Sequence, residues 1–126
     1  MFIPKSLYYT KNHLWLRKIG LWDFYIGITD YAQKEIGNIE LVELELKGFN
    51  IKKDAKWGLI HATNHKLTLI APLDCKIKAT NSILQENTSI INSDPYCHWF
   101  LRVTVDKHDH YFLSNEEYKE HTLNDF

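Results

Sequence analysis

Apolar residues in this chain arrive in short runs that end, within a few positions, at a turn signal. That rhythm limits the possible folds more than any other feature of the sequence. Residues 14–17 (LWLR) and 22–28 (WDFYIGI) are rich in aromatic and β-branched side chains, with Gly20 as the turn between them. Residues 39–46 read IELVELEL, an alternation that shifts phase at Leu41-Val42 and so predicts a bulge or a strand covered on both faces. Residues 57–62 and 67–71 are apolar runs around Thr63-Asn64-His65-Lys66, as expected of two strands joined at a polar hairpin tip. Residues 75–79 and 99–105 are further short strands, and Asn92-Ser93-Asp94-Pro95 reads as a turn. The helices are brief. Thr29 or Asp30 caps one over residues 31–36 that Gly37 ends, residues 81–87 hold a helical turn, and Ser114 caps a terminal helix with Glu116 and Glu117 at its positive end. Short strands with turns about every 8–12 residues predict a mainly β sandwich or flattened barrel.

One such domain accounts for all 126 residues, and at 44% hydrophobic and 13% aromatic it can build a core without staples. Fifteen basic against 16 acidic residues leave a net charge of −1, which argues against binding nucleic acid through a broad basic surface. No apolar run approaches the roughly 18 residues of a membrane span, so no membrane association is expected. The first residues, MFIPKSLYYTKNH, lack the features of a secretory or organellar leader, and a cytoplasmic location is the expectation. Cys75 and Cys97 are expected to be buried free thiols.

Catalytic constellations are weak. His108-Asp109-His110 could place two imidazoles on one strand face, but a third ligand at suitable spacing is missing, and no metal site is expected. His61 and His65 flank the hairpin tip without a serine or cysteine nearby to activate. Cys97-His98 are adjacent and would point to opposite faces of a strand. Glu43 and Glu45 read as a solvated strand face, and Trp15, Trp22, Trp57 and Trp99 as core or half-buried strand residues. The chain therefore reads as a carrier or interaction module, not an enzyme.

One segment narrows this further. Residues 27–44, GITDYAQKEIGNIELVEL, resemble the GITDYAQ…LG-DI…VEL signature of the H protein of the glycine cleavage system. Tyr9-Thr10 with His13 and Trp15 is similar to the family's YT-x-x-H-x-W, residues 92–96 to its N-x-DPY, and residues 113–118 to its LS-x-EEY. The likeness covers residues 8–120. It implies a lipoyl/biotinyl-type flattened β-sandwich (a barrel-sandwich hybrid) with short added helices. It also implies a carrier that holds lipoate on a lysine at a hairpin tip and moves an aminomethyl group between the enzymes of glycine decarboxylation.

Carried over residue by residue, the resemblance breaks at that lysine. The family hairpin runs roughly G-V-V-E-S-V-K-A-A-S-D-V-Y-S-P, and Gly58 and Pro72 fit its ends without a gap. The lysine position is then Asn64, the glutamate before it His61, the serine Ala62, its immediate neighbours Thr63 and His65, and the Ser-Asp after it Leu67-Thr68. An asparagine carboxamide is no nucleophile at neutral pH, whereas asparagine suits a tight turn. Lys66 is the alternative acceptor, but it is rooted about 7 Å along the strand from the tip. The chain is also nearly neutral where the family is usually acidic. The expectation is a divergent H-like protein without a cofactor, acting on proteins such as glycine cleavage components or lipoate-handling enzymes. The alternative is a lipoyl carrier that uses Lys66 or another attachment.

Overall fold

A computed structural model describes residues 2–107 and 111–123. Its elements, in chain order, are β1 (Tyr8–Tyr9), β2 (Leu14–Lys18), β3 (Asp23–Ile28), α1 (Asp30–Ile36), β4 (Ile39–Leu44), β5 (Asn50–Ile51), β6 (Lys56–Ala62), β7 (Lys66–Ile70), β8 (Cys75–Thr80), α2 (Ile83–Glu86), α3 (Ser89–Ser93), β9 (Leu101–Thr104) and α4 (Asn115–Thr122). The strands form two antiparallel sheets, one ordered β1-β2-β3-β9-β8-β5 and one ordered β4-β6-β7. The expected mainly β, two-sheet architecture is therefore observed.

Alternation decides which side chains meet between the sheets. Leu14, Leu16, Phe24, Ile26, Ile77 and Val103 turn inward from the larger sheet, and Val42, Ile60, Leu67 and Leu69 from the smaller, all in one buried cluster. The phase shift read in IELVELEL is a real irregularity, because the register of β4 against β6 slips between Ile39 and Leu41. This slip lets Ile39 and Val42 both be buried although they are an odd number of positions apart.

The motifs that carry the family resemblance converge on the outer face of the larger sheet. Tyr9, Trp15, Tyr96 and Tyr118 pack there with Leu7 and Leu113 in a second buried cluster. Tyr118 stacks on Tyr9 at 4.9 Å, and its hydroxyl lies 2.7 Å from both His13 Nδ1 and Thr29 Oγ1. Thr29 in turn caps α1 by accepting the Ala32 N–H. A capping box between Ser114 and Glu117 starts α4 as the sequence predicts, and so presents Tyr118.

Some expectations need correction. Asn92 and Ser93 belong to α3 rather than to a turn, and the turn follows at residues 95–97. Only Cys75 is buried, and Cys97 is a free, exposed thiol. Trp15 and Trp57 are core residues and Trp99 stacks on Tyr25 at 4.8 Å, but Trp22 is 41% exposed on the β2–β3 turn. His108, Asp109 and His110 lie outside the described residues. Among the described residues, no helix is long and apolar enough to cross a membrane, and no group of three His, Cys, Asp or Glu side chains is placed to hold a metal.

Candidate functional site

The β6–β7 hairpin has a short polar tip because Lys66 already pairs with His61, leaving only Thr63, Asn64 and His65 between the strands. All three are exposed, yet their backbones are held. The N–H groups of Asn64 (2.9 Å) and His65 (3.2 Å) both donate to the carbonyl of Ile36, and the Thr63 N–H donates to Asn38 O at 3.0 Å. The Asn38 N–H returns a bond to Thr63 Oγ1 at 3.0 Å. The end of α1 leaves carbonyls without helical partners, and the hairpin tip supplies donors to the last of them, Ile36 O.

Gly37 makes this latch possible. It caps α1 with φ +87°, a left-handed conformation that glycine adopts without strain. A Cβ at this position would stand 2.3 Å from Thr63 Oγ1 and 3.0 Å from Asn64 Nδ2. The Asn64 carboxamide therefore lies over the bare α-carbon of Gly37. Gly37→Ala is expected to cost about 1–3 kcal/mol in urea unfolding, through backbone strain and displacement of the tip. Amide exchange at residues 63–65 should accelerate in the same variant, and unchanged exchange would mean that the latch is dispensable.

Behind the latch stands Asn92. Its Nδ2 donates to Gly37 O at 2.9 Å and Gln33 Oε1 at 3.0 Å, and its Oδ1 accepts the Ile39 N–H at 2.8 Å. Gln33 continues the chain to Asp30 Oδ1 at 2.8 Å. Burial opposes the charge on Asp30, but hydrogen bonds from Gln33, the Phe2 N–H and Lys34 outweigh it and hold that carboxyl below its usual range. Reading residues 92–95 as a turn missed this role, since a side chain bonding backbone 53 residues away leaves no local signal.

The other expected site residues divide between two faces. Leu41, His61 and Lys66 form one cross-strand row on the outer face of the smaller sheet, and Glu43, Leu59 and Thr68 form the next. His61 Nε2 pairs with Glu43 Oε1 across this surface. Leu67 is buried, and half-buried Ala62 packs against the same core. Of the strand positions that flank the tip, His61, Lys66 and Thr68 therefore face outward, and Leu67 and Ala62 turn to the core.

A lipoyl group needs a primary amine, and the tip has none. The carboxamide that stands there is seated against Gly37, and Lys66 lies on the sheet face opposite His61. The residues present at the tip do not fit the group.

Comparison with known proteins agrees with the fold and its motifs. The family model described as glycine cleavage H-protein matches residues 7–125. The glycine cleavage system H protein of Mycobacterium bovis (strain BCG / Pasteur 1173P2) is 37% identical over 108 residues, which is 85% of this chain and 81% of that one. The protein of the same name from Chlorobium chlorochromatii is 36% identical over 105 residues, 83% of each. The crystal structure of a glycine cleavage system H protein from Mycobacterium marinum superposes with a TM-score of 0.80 at 25% identity, covering 95% of this chain and 98% of that one. With a match that runs over nearly its whole length, and with the matching motifs gathered in one cluster behind α1, this chain belongs to the glycine cleavage H-protein family.

Proposed function

We propose that this chain works without a lipoyl arm, as a non-catalytic module that other proteins recognise by the latched β6–β7 hairpin and the outer face of the β4-β6-β7 sheet. The observation that carries this is the Asn64 carboxamide lying over Gly37 where the family resemblance puts the acceptor lysine. The partners this surface suits are proteins that meet H-family members: glycine cleavage components and lipoate-handling enzymes. The surface is charged but balanced, with Glu43 engaged by His61 and Glu45 by Lys56 at 3.2 Å. Exposed pairs of this kind contribute little to stability and more to the choice of partner.

The test uses purified lipoate ligase with lipoate and ATP on four proteins: wild type, Asn64→Lys, Asn64→Lys with His61→Glu, and Lys66→Arg. Wild type is expected to stay unmodified. Asn64→Lys alone should be modified poorly, because the flanking contacts a ligase would use are replaced, at about 1 kcal/mol each. Restoring the glutamate should raise the rate. An adduct on wild type that Lys66→Arg abolishes would make Lys66 the attachment site and the chain a lipoyl carrier.

A further inference from the structure

At the end of the molecule opposite the tip, the strands stop around a cleft that the hairpin does not explain. The loop after β5 closes the base of the β6–β7 hairpin, with the Asp54 N–H donating to Ala71 O at 2.9 Å and the Ala71 N–H to Ala55 O at 2.8 Å. Beside it, Asn50, Lys76 and Thr104 form one row across β5, β8 and β9. Beyond this row opens a cleft of about 380 Å³, within the size range of small-molecule sites.

The lining is chemically uneven. Lys52, Lys76 and Lys107 all border the cleft, half-buried Ile51 and largely buried Val105 add apolar lining, and Asn50 adds a neutral hydrogen-bonding group, while Thr104 Oγ1 already donates to Trp22 O at 3.4 Å. Two acids also line it, Asp74 and Asp106. Asp74 is turned to the protein, its Oδ1 accepting the Lys53 N–H at 2.7 Å. Ion pairs among the described residues include Lys34–Asp30, Lys56–Glu45, His61–Glu43 and Arg102–Asp23, and none of these joins a lysine of the cleft to a described carboxylate. Three exposed ammonium groups outnumber the two carboxylates, Asp74 and Asp106, around a partly apolar cleft, a balance that suits an anionic ligand with a less polar body.

We propose that this cleft binds a small phosphate-bearing molecule, its phosphates among Lys52, Lys76 and Lys107 and its body against Ile51 and Val105. This rests on the far end of the sheets and is independent of the state of Asn64.

The test is an NMR titration of the isotope-labelled full chain with AMP, pyrophosphate and inorganic phosphate, with ionic strength matched by sodium chloride. The expected result is saturable amide shifts confined to residues 50–52, 74–76 and 104–107, stronger for pyrophosphate and AMP than for phosphate. Lys76→Ala and the double variant Lys52→Ala with Lys107→Ala should each weaken binding about fivefold or more, with no change in melting temperature, since all three side chains are exposed. Shifts that rise without saturation, that spread over lysines elsewhere, or that persist in both variants would overturn the proposal.

Discussion

Replacing Trp15 by alanine is expected to remove about 3–5 kcal/mol of stability, the upper range for loss of a buried aromatic. Trp15 is fully buried on the outer face of the larger sheet, within the second cluster rather than the inter-sheet core. Its ring crosses directly over Gly27, its cross-strand neighbour, where a Cβ would stand 2.4 Å from the indole carbons. The indole N–H donates to Pro95 O at 3.1 Å, and the Arg17 guanidinium sits 4.8 Å above the ring. Removing the ring leaves a cavity that Gly27 cannot fill, an unpaired carbonyl at Pro95 and a cation without its aromatic partner. Urea unfolding should show a lower midpoint at unchanged slope. Trp15→Phe should lose less, since it keeps most of the apolar volume. A loss below about 1 kcal/mol for the alanine variant would show that this cluster is peripheral to stability.

High pH should unfold the protein through its buried tyrosines. Burial pushes the hydroxyls of Tyr9 and Tyr118 well above the ordinary value of 10.0, and raises Tyr96 to about 12. The buried Cys75 thiol is likewise raised from 9.0 to about 12, with Asp74 adding to the effect of burial. Above pH 10 the unfolded chain gives up these protons and the folded chain keeps them, so each added pH unit favours unfolding. Stability is therefore intact below about pH 9 and falls as pH rises toward 12. The three tyrosines together give a slope of about 4 kcal/mol per pH unit above 10. Tyrosinate absorbance followed beside near-ultraviolet circular dichroism should show the last tyrosines ionising only as tertiary structure is lost. Smooth ionisation of all seven near pH 10 in a still-folded protein would contradict the burial of this cluster.

What could be read from the sequence is what short-range chemistry controls. Thr29 caps α1 and Gly37 ends it as the residue types demand, the phase shift in IELVELEL marks the slipped register, and the tip read at residues 63–66 is observed at 63–65, with Lys66 drawn into β7 by its pairing with His61. The two-residue strands β1 and β5 were not legible, since two residues carry no period and owe their pairing to neighbouring strands. Helix α3 was hidden for a similar reason: SIINS has too few positions to show a helical face, and Asn92 is a common turn residue. At the site, the apolar runs placed Asn64 in the tip, and the family resemblance matched that position to the acceptor lysine. The latch onto Ile36 and Asn38, the support from Asn92 and the inward turn of Leu67 depend on contacts between distant segments, which no local pattern encodes.

The motif cluster and the hairpin carry different information. Tyr9, Trp15, Thr29, Tyr96 and Tyr118 are held to their types by packing and hydrogen bonds, so they report the fold. Asn64, His61 and Thr68 stand on exposed or half-exposed positions outside the buried clusters, so the core does not hold their side chains to type. The proposed loss of the arm rests on this contrast between strong likeness in the first set and departure in the second.

The most direct measurement is the intact mass of the wild-type protein purified from cells that are supplied with lipoate and contain an active lipoate ligase, with peptide mapping of residues 56–70. A single species at the mass of the unmodified chain is expected. A lipoyl adduct on Lys66, or on any other lysine of the chain, would contradict it.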